Sequence, residues 1–474
     1  MSQVRARIAA ILAGLPYSYL LQASSVGQSL ARPKAEENRE QWHSNLGFIF
    51  AAIGSAVGIG NIWRFPYIVG TNGGGAFLVT YVIVIFSFGL AFMVLEIAIG
   101  RYYQTSILSA FERIRRRFKW IGVIMIGITF AILSYYLVIL GWVISYFVAW
   151  TATGAVPSFE EYTGSIYPII AFFAMLAVNF GIISLGVHRG IENLSKVGVI
   201  LLLLLMIPLT AIGLYMDGSE KGLEFYLSPD FSRLSDPEVW SIAFGQAFFS
   251  LSVGMGVLLV YGSYLRETHS IIKASIIIIV ADLAVAFLAG LMIFSFVFSY
   301  GLAPDQGASL VFRVMPTIFT DIPGFGVVLG SLFFLLVLLA GLTSSISMFE
   351  VPVSALEDTF RVSRIKAAAI VSILLSGAGI LPALSYSGLA SEIGNIPFFD
   401  LYDLLFGTYG ITISGAIFSI VATWFMDRTK LLEQVNLKSP FKVPPWVLTI
   451  VKFTMPLLIM LTMATQIAGL FSGE

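Results

Sequence analysis

Residues 51–66 read AAIGSAVGIGNIWRFP, and residues 248–262 read FFSLSVGMGVLLVYG. Both lie in apolar stretches of membrane-crossing length. Both are interrupted mid-way by nearly the same four residues, Val57-Gly58-Ile59-Gly60 and Val253-Gly254-Met255-Gly256. In hydrocarbon every backbone amide and carbonyl needs a partner, so helix-weakening glycine pairs at mid-depth are tolerated only beside a cavity or against protein. Each glycine costs about 1 kcal/mol relative to alanine in a helix interior. Two per segment favour local unwinding, and breaks at matching places in two halves of a chain point to a ligand site between them. The same glycines also suit close helix packing of the GxxxG kind, and the pattern alone leaves both readings open.

Composition sets the class. The 474-residue chain is 58% hydrophobic and 11% charged, with a mean hydropathy of +0.90. Soluble proteins carry about 25% charged residues, so the chain is read as an all-α integral membrane protein whose solvent is the lipid bilayer. A formal net charge of zero argues against a nucleic-acid partner. The chain has no cysteine, hence no disulfide framework, thiol nucleophile or zinc–thiolate site. His43, His188 and His269 fall near predicted segment ends, without metal-ligand spacing, and read as interfacial side chains. No nucleophile–base pair or metal cluster stands at mid-depth, so an enzyme is not indicated.

Counted against the roughly 20 residues that cross a bilayer, the apolar runs give eleven spans, near 46–70, 75–99, 121–150, 166–186, 195–216, 239–263, 271–300, 324–355, 366–384, 400–425 and 446–470. Lys and Arg crowd every second loop: Arg101 to Lys119, Arg189 and Lys196, Arg266 and Lys273, Arg361 to Lys366, and Arg428 to Lys442. The loops between them are poor in basic residues. By the positive-inside rule the N-terminus is cytoplasmic and Glu474 lies outside, which suits an inner (plasma) membrane protein. Residues 8–21 form an apolar run too short to span. Residues 1–38 are read as a cytoplasmic tail, disordered or surface-lying, rather than a cleaved signal.

Ionisable residues inside spans are expensive and therefore candidates for function. Arg64 and Asp403 sit at the outer ends of the first and tenth spans, where they either close a gate or snorkel to the interface. Asp282 lies well inside the seventh span, in IIIIVADLAVAF, and reads as a neutral acid or the holder of a cation. Glu96 and Glu350 sit nearer the cytoplasmic ends, as possible pairing partners. Sodium needs several hard oxygen ligands, and these cluster at Asn61 with the freed carbonyls of the first break, at Ser250 and Ser252, and at Thr343-Ser344-Ser345. A hydroxyl in a helix commonly bonds back to the preceding turn instead.

Gly54–Pro66, Asn72-Gly-Gly-Gly-Ala-Phe77, Ser134-Tyr-Tyr136, Gly245-Gln-Ala-Phe-Phe-Ser250, Ala340-Gly-Leu-Thr-Ser-Ser345 and Leu356-Glu-Asp358, in this order, resemble the signature of the neurotransmitter:sodium symporters. The resemblance covers about residues 39–470 and implies the leucine-transporter fold. That fold has two inverted repeats of five helices, here in 39–216 and 217–428, with an eleventh span in 429–474. It further implies two sodium ions, the first held by Ala56, Asn61, Ser250 and Asp282 with the substrate carboxylate. Gly54, Val57, Ala340, Thr343 and Ser344 would hold the second. The implied substrate pocket is Ser55, Ala56, Ile59, Gly60, Ile132, Tyr136, Phe249, Ser250, Ser252, Met255, Ser344 and Met348, with Tyr136 binding the carboxylate and Phe249 as lid. Arg64 with Asp403 would form the outer gate. Arg39 with Asp358, supported by Trp42 and Tyr264, would form the inner one.

The departures carry information. Asp282 stands where the family usually has Asn, and Ser250 replaces a common Thr. Chloride-dependent relatives bind the anion near positions matching Tyr81, Gln246, Ser250 and Ala286. Ala286 lacks their hydroxyl and Asp282 can supply the charge, which implies chloride independence. Gly58 stands where monoamine carriers have an Asp, so the substrate should bring its own carboxylate. Together with the apolar wall of Ile132, Met255, Met348 and Phe249, this implies a neutral, hydrophobic or aromatic L-amino acid moved by alternating access, by a monomer or loose dimer. The alternative is a sodium-dependent sensor that binds without transport.

Overall fold

The computed structural model describes residues 39–302, 310–322, 324–387, 392–393 and 396–472. The expectation for residues 1–38 lies outside them. The chain divides into units 1–39 and 40–474, and the architecture below is that of the second.

Among its described residues the second unit's regular structure is helical apart from a short antiparallel pairing of Glu392–Ile393 with Ile396–Pro397. Among the described residues nine helices are long and apolar enough to cross a membrane. In chain order the elements used below are α1 (Asn45–Ala56), α2 (Gly60–Thr71), α3 (Gly75–Tyr103), α4 (Ile107–Ile114), α5 (Arg116–Thr153), α6 (Tyr167–Ser184) and α7 (Val187–Leu214). They continue with α8 (Pro237–Ser250), α9 (Val257–Ser263), α10 (Ile271–Ser299), α11 (Gly326–Phe360), α12 (Arg364–Ala383), α13 (Phe398–Phe425), α14 (Arg428–Asn436) and α15 (Pro445–Ser472). The pair α1 and α2, bent by 43°, counts as a tenth span if taken together. The expected sixth span, 239–263, is broken where its glycine pair stands. It is α8 of 14 residues and α9 of 7, each too short to cross hydrocarbon alone. The fifth begins at Val187, eight residues before the predicted 195, because a π-turn over Val187–Glu192 leads into it.

The two glycine-marked stretches are where the helices stop. Helix α1 ends at Val57, whose backbone turns to an extended conformation (ψ 91°), and α2 restarts with a π-turn at Gly60–Arg64. Between α8 and α9, Ser252, Gly254 and Gly256 all have positive φ, of 51°, 80° and 77°. That region disfavours L side chains and is open to glycine, which accounts for the Gly-Met-Gly spacing. Gly58 is needed for space rather than conformation. A Cβ there would stand 2.5 Å from Ser344 Oγ and 3.1 Å from the Tyr136 hydroxyl.

Packing around the breaks is close. Helix α5 lies along both α11 and α6, α9 lies along α3, and α1 is wedged among α7, α10 and α11. At a rise of 1.5 Å per residue the 38-residue α5 is about 57 Å long, well beyond the ~30 Å hydrocarbon layer. Lipid gives no hydrophobic drive for helix association, so small residues and polar links do that work. At Gly262, for example, a Cβ would stand 2.6 Å from the Ile97 carbonyl, which lets α9 approach α3 backbone to backbone.

Candidate functional site

A fully buried polar cluster sits where the two breaks meet α10. Asp282 is fully buried. One carboxylate oxygen accepts from Asn61 Nδ2 at 2.7 Å and from Ser250 Oγ at 3.0 Å; the other accepts from Ser250 Oγ at 3.0 Å and from the Tyr81 hydroxyl at 3.4 Å. Ser250 has one hydroxyl proton and shares it between the two oxygens. Asn61 Oδ1 meanwhile accepts from the Gly58 N–H at 3.0 Å, which leaves that amide oxygen a second lone pair. Asn61, Ser250 and Asp282, three of the four residues implied for the first sodium ion, are thus in mutual contact. Ala56 ends α1 just before them.

The second implied set gathers at the end of α1. Ser344 Oγ donates toward the carbonyls of Gly54 (3.2 Å) and Ser55 (3.1 Å). Thr343 bonds back to Leu339 and Ala340, at 3.1 and 3.0 Å, with its side chain facing Gly54. Val57 caps α1, so its carbonyl and those near it have no continuing helix to bond. Ser345 faces away, donating to Asn179 on α6 at 2.8 Å. Successive helix residues are rotated by about 100°, so three consecutive hydroxyls cannot share one site.

The implied pocket residues surround the same junction. The Tyr136 hydroxyl accepts from the Ile59 N–H at 3.2 Å. Ser55 and Ser347 hydroxyls are 2.8 Å apart, and Ser252 donates to the Ser55 carbonyl at 2.9 Å. Phe249 packs against Gly60, where a Cβ would stand 2.9 Å from the ring. The Arg64 guanidinium lies over the same ring, 4.7 Å from its centroid, and donates to Gln246 at 3.4 Å. Ile132, Met255 and Met348 are buried. Ile59 turns toward Gly341 on α11.

At the implied outer gate Asp403 accepts from Tyr135 at 2.8 Å, and it and Tyr67 are electrostatic neighbours of Arg64. At the implied inner gate Asp358 accepts from the Thr105 hydroxyl at 2.8 Å and from the Ser106 N–H. Trp42 donates to the Tyr261 carbonyl at 2.9 Å and packs edge-on against Tyr264. Tyr264 in turn donates to Glu350 at 2.6 Å, and Glu350 pairs with Arg364 at 2.5 Å. Arg39 belongs to unit 1–39, so its pairing with Asp358 stays an expectation of the resemblance.

Residues 39–157 and 161–472 match the profile of the sodium:neurotransmitter symporter family. The chain belongs to this family. It is 34% identical over 433 residues to an uncharacterised sodium-dependent transporter of Methanocaldococcus jannaschii, covering 86% of each chain. Against an uncharacterised sodium-dependent transporter of Bacillus subtilis it is also 34% identical, over 415 residues, 85% of this chain and 91% of that one. Among solved structures it superposes on MhsT in complex with L-phenylalanine with a TM-score of 0.83 at 36% identity, over 90% of this chain and 99% of that one. As a symporter of this family the protein is a multi-pass, sodium-coupled membrane transporter and not an enzyme.

Several contacts at the junction leave no signal in the sequence. Glu96 accepts the Gly254 N–H at 2.9 Å, Ser414 donates to the Gly254 carbonyl, and Thr129 donates to the Met255 carbonyl at 2.8 Å. Glu96 was singled out for its depth, but its partner lies 158 residues away. Thr129 and Ser414 read as ordinary helix hydroxyls.

Proposed function

We propose that the protein couples two sodium ions to the inward movement of a neutral, hydrophobic or aromatic L-amino acid, without chloride, by alternating access across an inner (plasma) membrane. In this reading α1–α7 and α8–α13 are the two inverted five-span repeats and α15 is the eleventh span, with the N-terminus cytoplasmic and Glu474 outside.

The observation that carries the reading is the Asn61–Asp282–Ser250 cluster. An isolated carboxylate in hydrocarbon costs several kcal/mol, so it must be neutral or paired with a cation. Its neighbours are an amide, two hydroxyls and the freed backbone of α1, a hard-oxygen set suited to sodium. Tyr81, Ser250 and Asp282 also occupy the region where chloride-dependent relatives hold their anion. A protein carboxylate resident there supplies the negative charge that chloride would otherwise bring.

The substrate carboxylate completes the first ion's shell and meets the Tyr136 hydroxyl and the Gly60 amide. Gly58 has no room for a side chain and so offers no acidic partner to a bare amine. MhsT, solved with L-phenylalanine, supports a pocket of this family that accepts an aromatic side chain. Ile132, Met255 and Met348 give this chain an apolar wall, and methionine adapts to differing shapes. Sodium binding draws the end of α1 to the middle of α11 and pre-organises the breaks. Ions and substrate then shift the equilibrium by binding the closed form better than the open ones. Arg64, held over Phe249 with Asp403 nearby, closes the outer side.

The test is uptake of a neutral amino-acid panel into proteoliposomes, with sodium or potassium outside and chloride or gluconate as the anion. Saturable, sodium-dependent and gluconate-tolerant uptake of apolar members is expected. Sodium-dependent binding without uptake would instead indicate a sensor.

A further inference from the structure

A threonine in a long helix ordinarily bonds back one turn, and Thr129 does lie 3.0 Å from the Met125 carbonyl. That carbonyl already receives the helical N–H of residue 129. The other oxygen within reach is different. The Met255 carbonyl stands 2.8 Å from Thr129 Oγ1, in the non-helical stretch between α8 and α9. Two oxygens that close repel unless a proton lies between them, and of this pair the hydroxyl is the donor. Thr129 is fully buried.

The same stretch is held at adjacent atoms. Glu96 of α3 takes the Gly254 N–H, and Ser414 of α13 donates to the Gly254 carbonyl. Just beyond, Gly256 keeps a φ of 77° with Ile107 of α4 packed where a Cβ would stand. The peptide carrying the Met255 side chain is therefore tied on both sides. On α5, Thr129, Ile132 and Tyr136 recur at helical spacing on one face. The hydroxyl thus stands about one turn from the Ile132 wall and two turns from the carboxylate-binding tyrosine of the proposed pocket.

We infer that Thr129 is a specificity-determining positioning residue: by holding the Met255 carbonyl against α5 it sets how much room the substrate's side chain finds between Ile132 and Met255. This rests on the amino-acid reading above. An apolar replacement leaves a buried carbonyl without its donor, and the break must shift to find another. The shift moves the Met255 wall while Asn61, Ser250 and Asp282 keep their own contacts.

The experiment compares wild type with Thr129→Val, which keeps the shape but not the donor, and Thr129→Ser, which keeps the donor but not the methyl. Half-inhibition of sodium-driven L-phenylalanine uptake is measured for L-alanine, L-leucine and L-tryptophan. T129V is expected to change the tryptophan-to-alanine ratio by about fivefold or more, the worth of one net hydrogen bond, with the sodium half-saturation unchanged. T129S is expected to keep the wild-type ratio. An unchanged ratio in T129V overturns the proposal, as does an equal loss for every amino acid or a T129S that behaves as T129V. If T129V does not reach the membrane, Thr129→Ala decides by the same ratio, with T129S controlling for the lost methyl. A wild-type protein that takes up none of the panel overturns the amino-acid reading itself, and this proposal with it.

Discussion

The Asn61 amide and the Asp282 carboxylate, 221 residues apart in the chain, meet at 2.7 Å mid-way along the apolar helix α10. This bond joins the restart of the first broken span to the centre of α10, and Ser250 at the end of α8 closes the triangle. Removing the carboxylate should therefore do more than delete one ligand. Asp282→Ala is expected to raise the sodium half-saturation of uptake by about tenfold or more, in line with ~1.5–3 kcal/mol for a charged hydrogen-bonding group. Asp282→Asn keeps the shape but not the charge, and its uptake should fall when chloride is replaced by gluconate. Wild-type uptake should not.

Tyr136 offers its hydroxyl at the Ile59 amide, beside Gly58. Tyr136→Phe removes the oxygen and leaves the ring's packing. The half-saturation for substrate should rise about tenfold, while the melting temperature in detergent without substrate stays near wild type. Equal loss of stability and affinity would mean the hydroxyl serves the fold rather than the ligand.

How far the sequence could be read follows from this site. The two breaks were legible because glycine pairs in hydrocarbon have few explanations, and Asp282 because a carboxylate at that depth is costly. Its partners Asn61 and Ser250, 221 and 32 residues distant, leave no local trace and are named together with it only by the family resemblance. The run Thr343-Ser344-Ser345 suggested three ligands, and the helix's own rotation sends Ser345 to Asn179. The sixth span is counted whole by hydropathy, and its glycine pair marks where the positive φ angles divide it. Thr129 went unnoticed because an isolated helix threonine has a local partner available.

Arg364 is mostly buried and pairs with a wholly buried Glu350 at 2.5 Å, while also lying 3.3 Å from Glu357. Truncating one side of a buried pair strands the other charge, at a cost of about 3–5 kcal/mol. Arg364→Ala should lower the melting temperature strongly. The double variant Arg364→Met with Glu350→Leu should recover most of that loss, as thermal unfolding in detergent would reveal. A double variant no more stable than R364A would show that the pair is not a self-contained unit.

Gly58 has no room for a methyl group beside Ser344 and Tyr136, whereas Gly127 on the exposed side of α5 has nothing within 4 Å of where a Cβ would stand. Gly58→Ala should abolish sodium-dependent stabilisation of the purified protein. Gly127→Ala should preserve it and add up to about 1 kcal/mol through helix propensity. Similar behaviour of the two variants would contradict the close approach of α1 to α11.

The most direct test of sodium-coupled amino-acid symport is the accumulation ratio of radiolabelled L-phenylalanine in proteoliposomes under an inward sodium gradient. The account predicts an internal concentration that rises above the external one and collapses when a sodium ionophore dissipates the gradient. Equilibration to the external level regardless of sodium, or retention no greater than the amount of protein present, would contradict it.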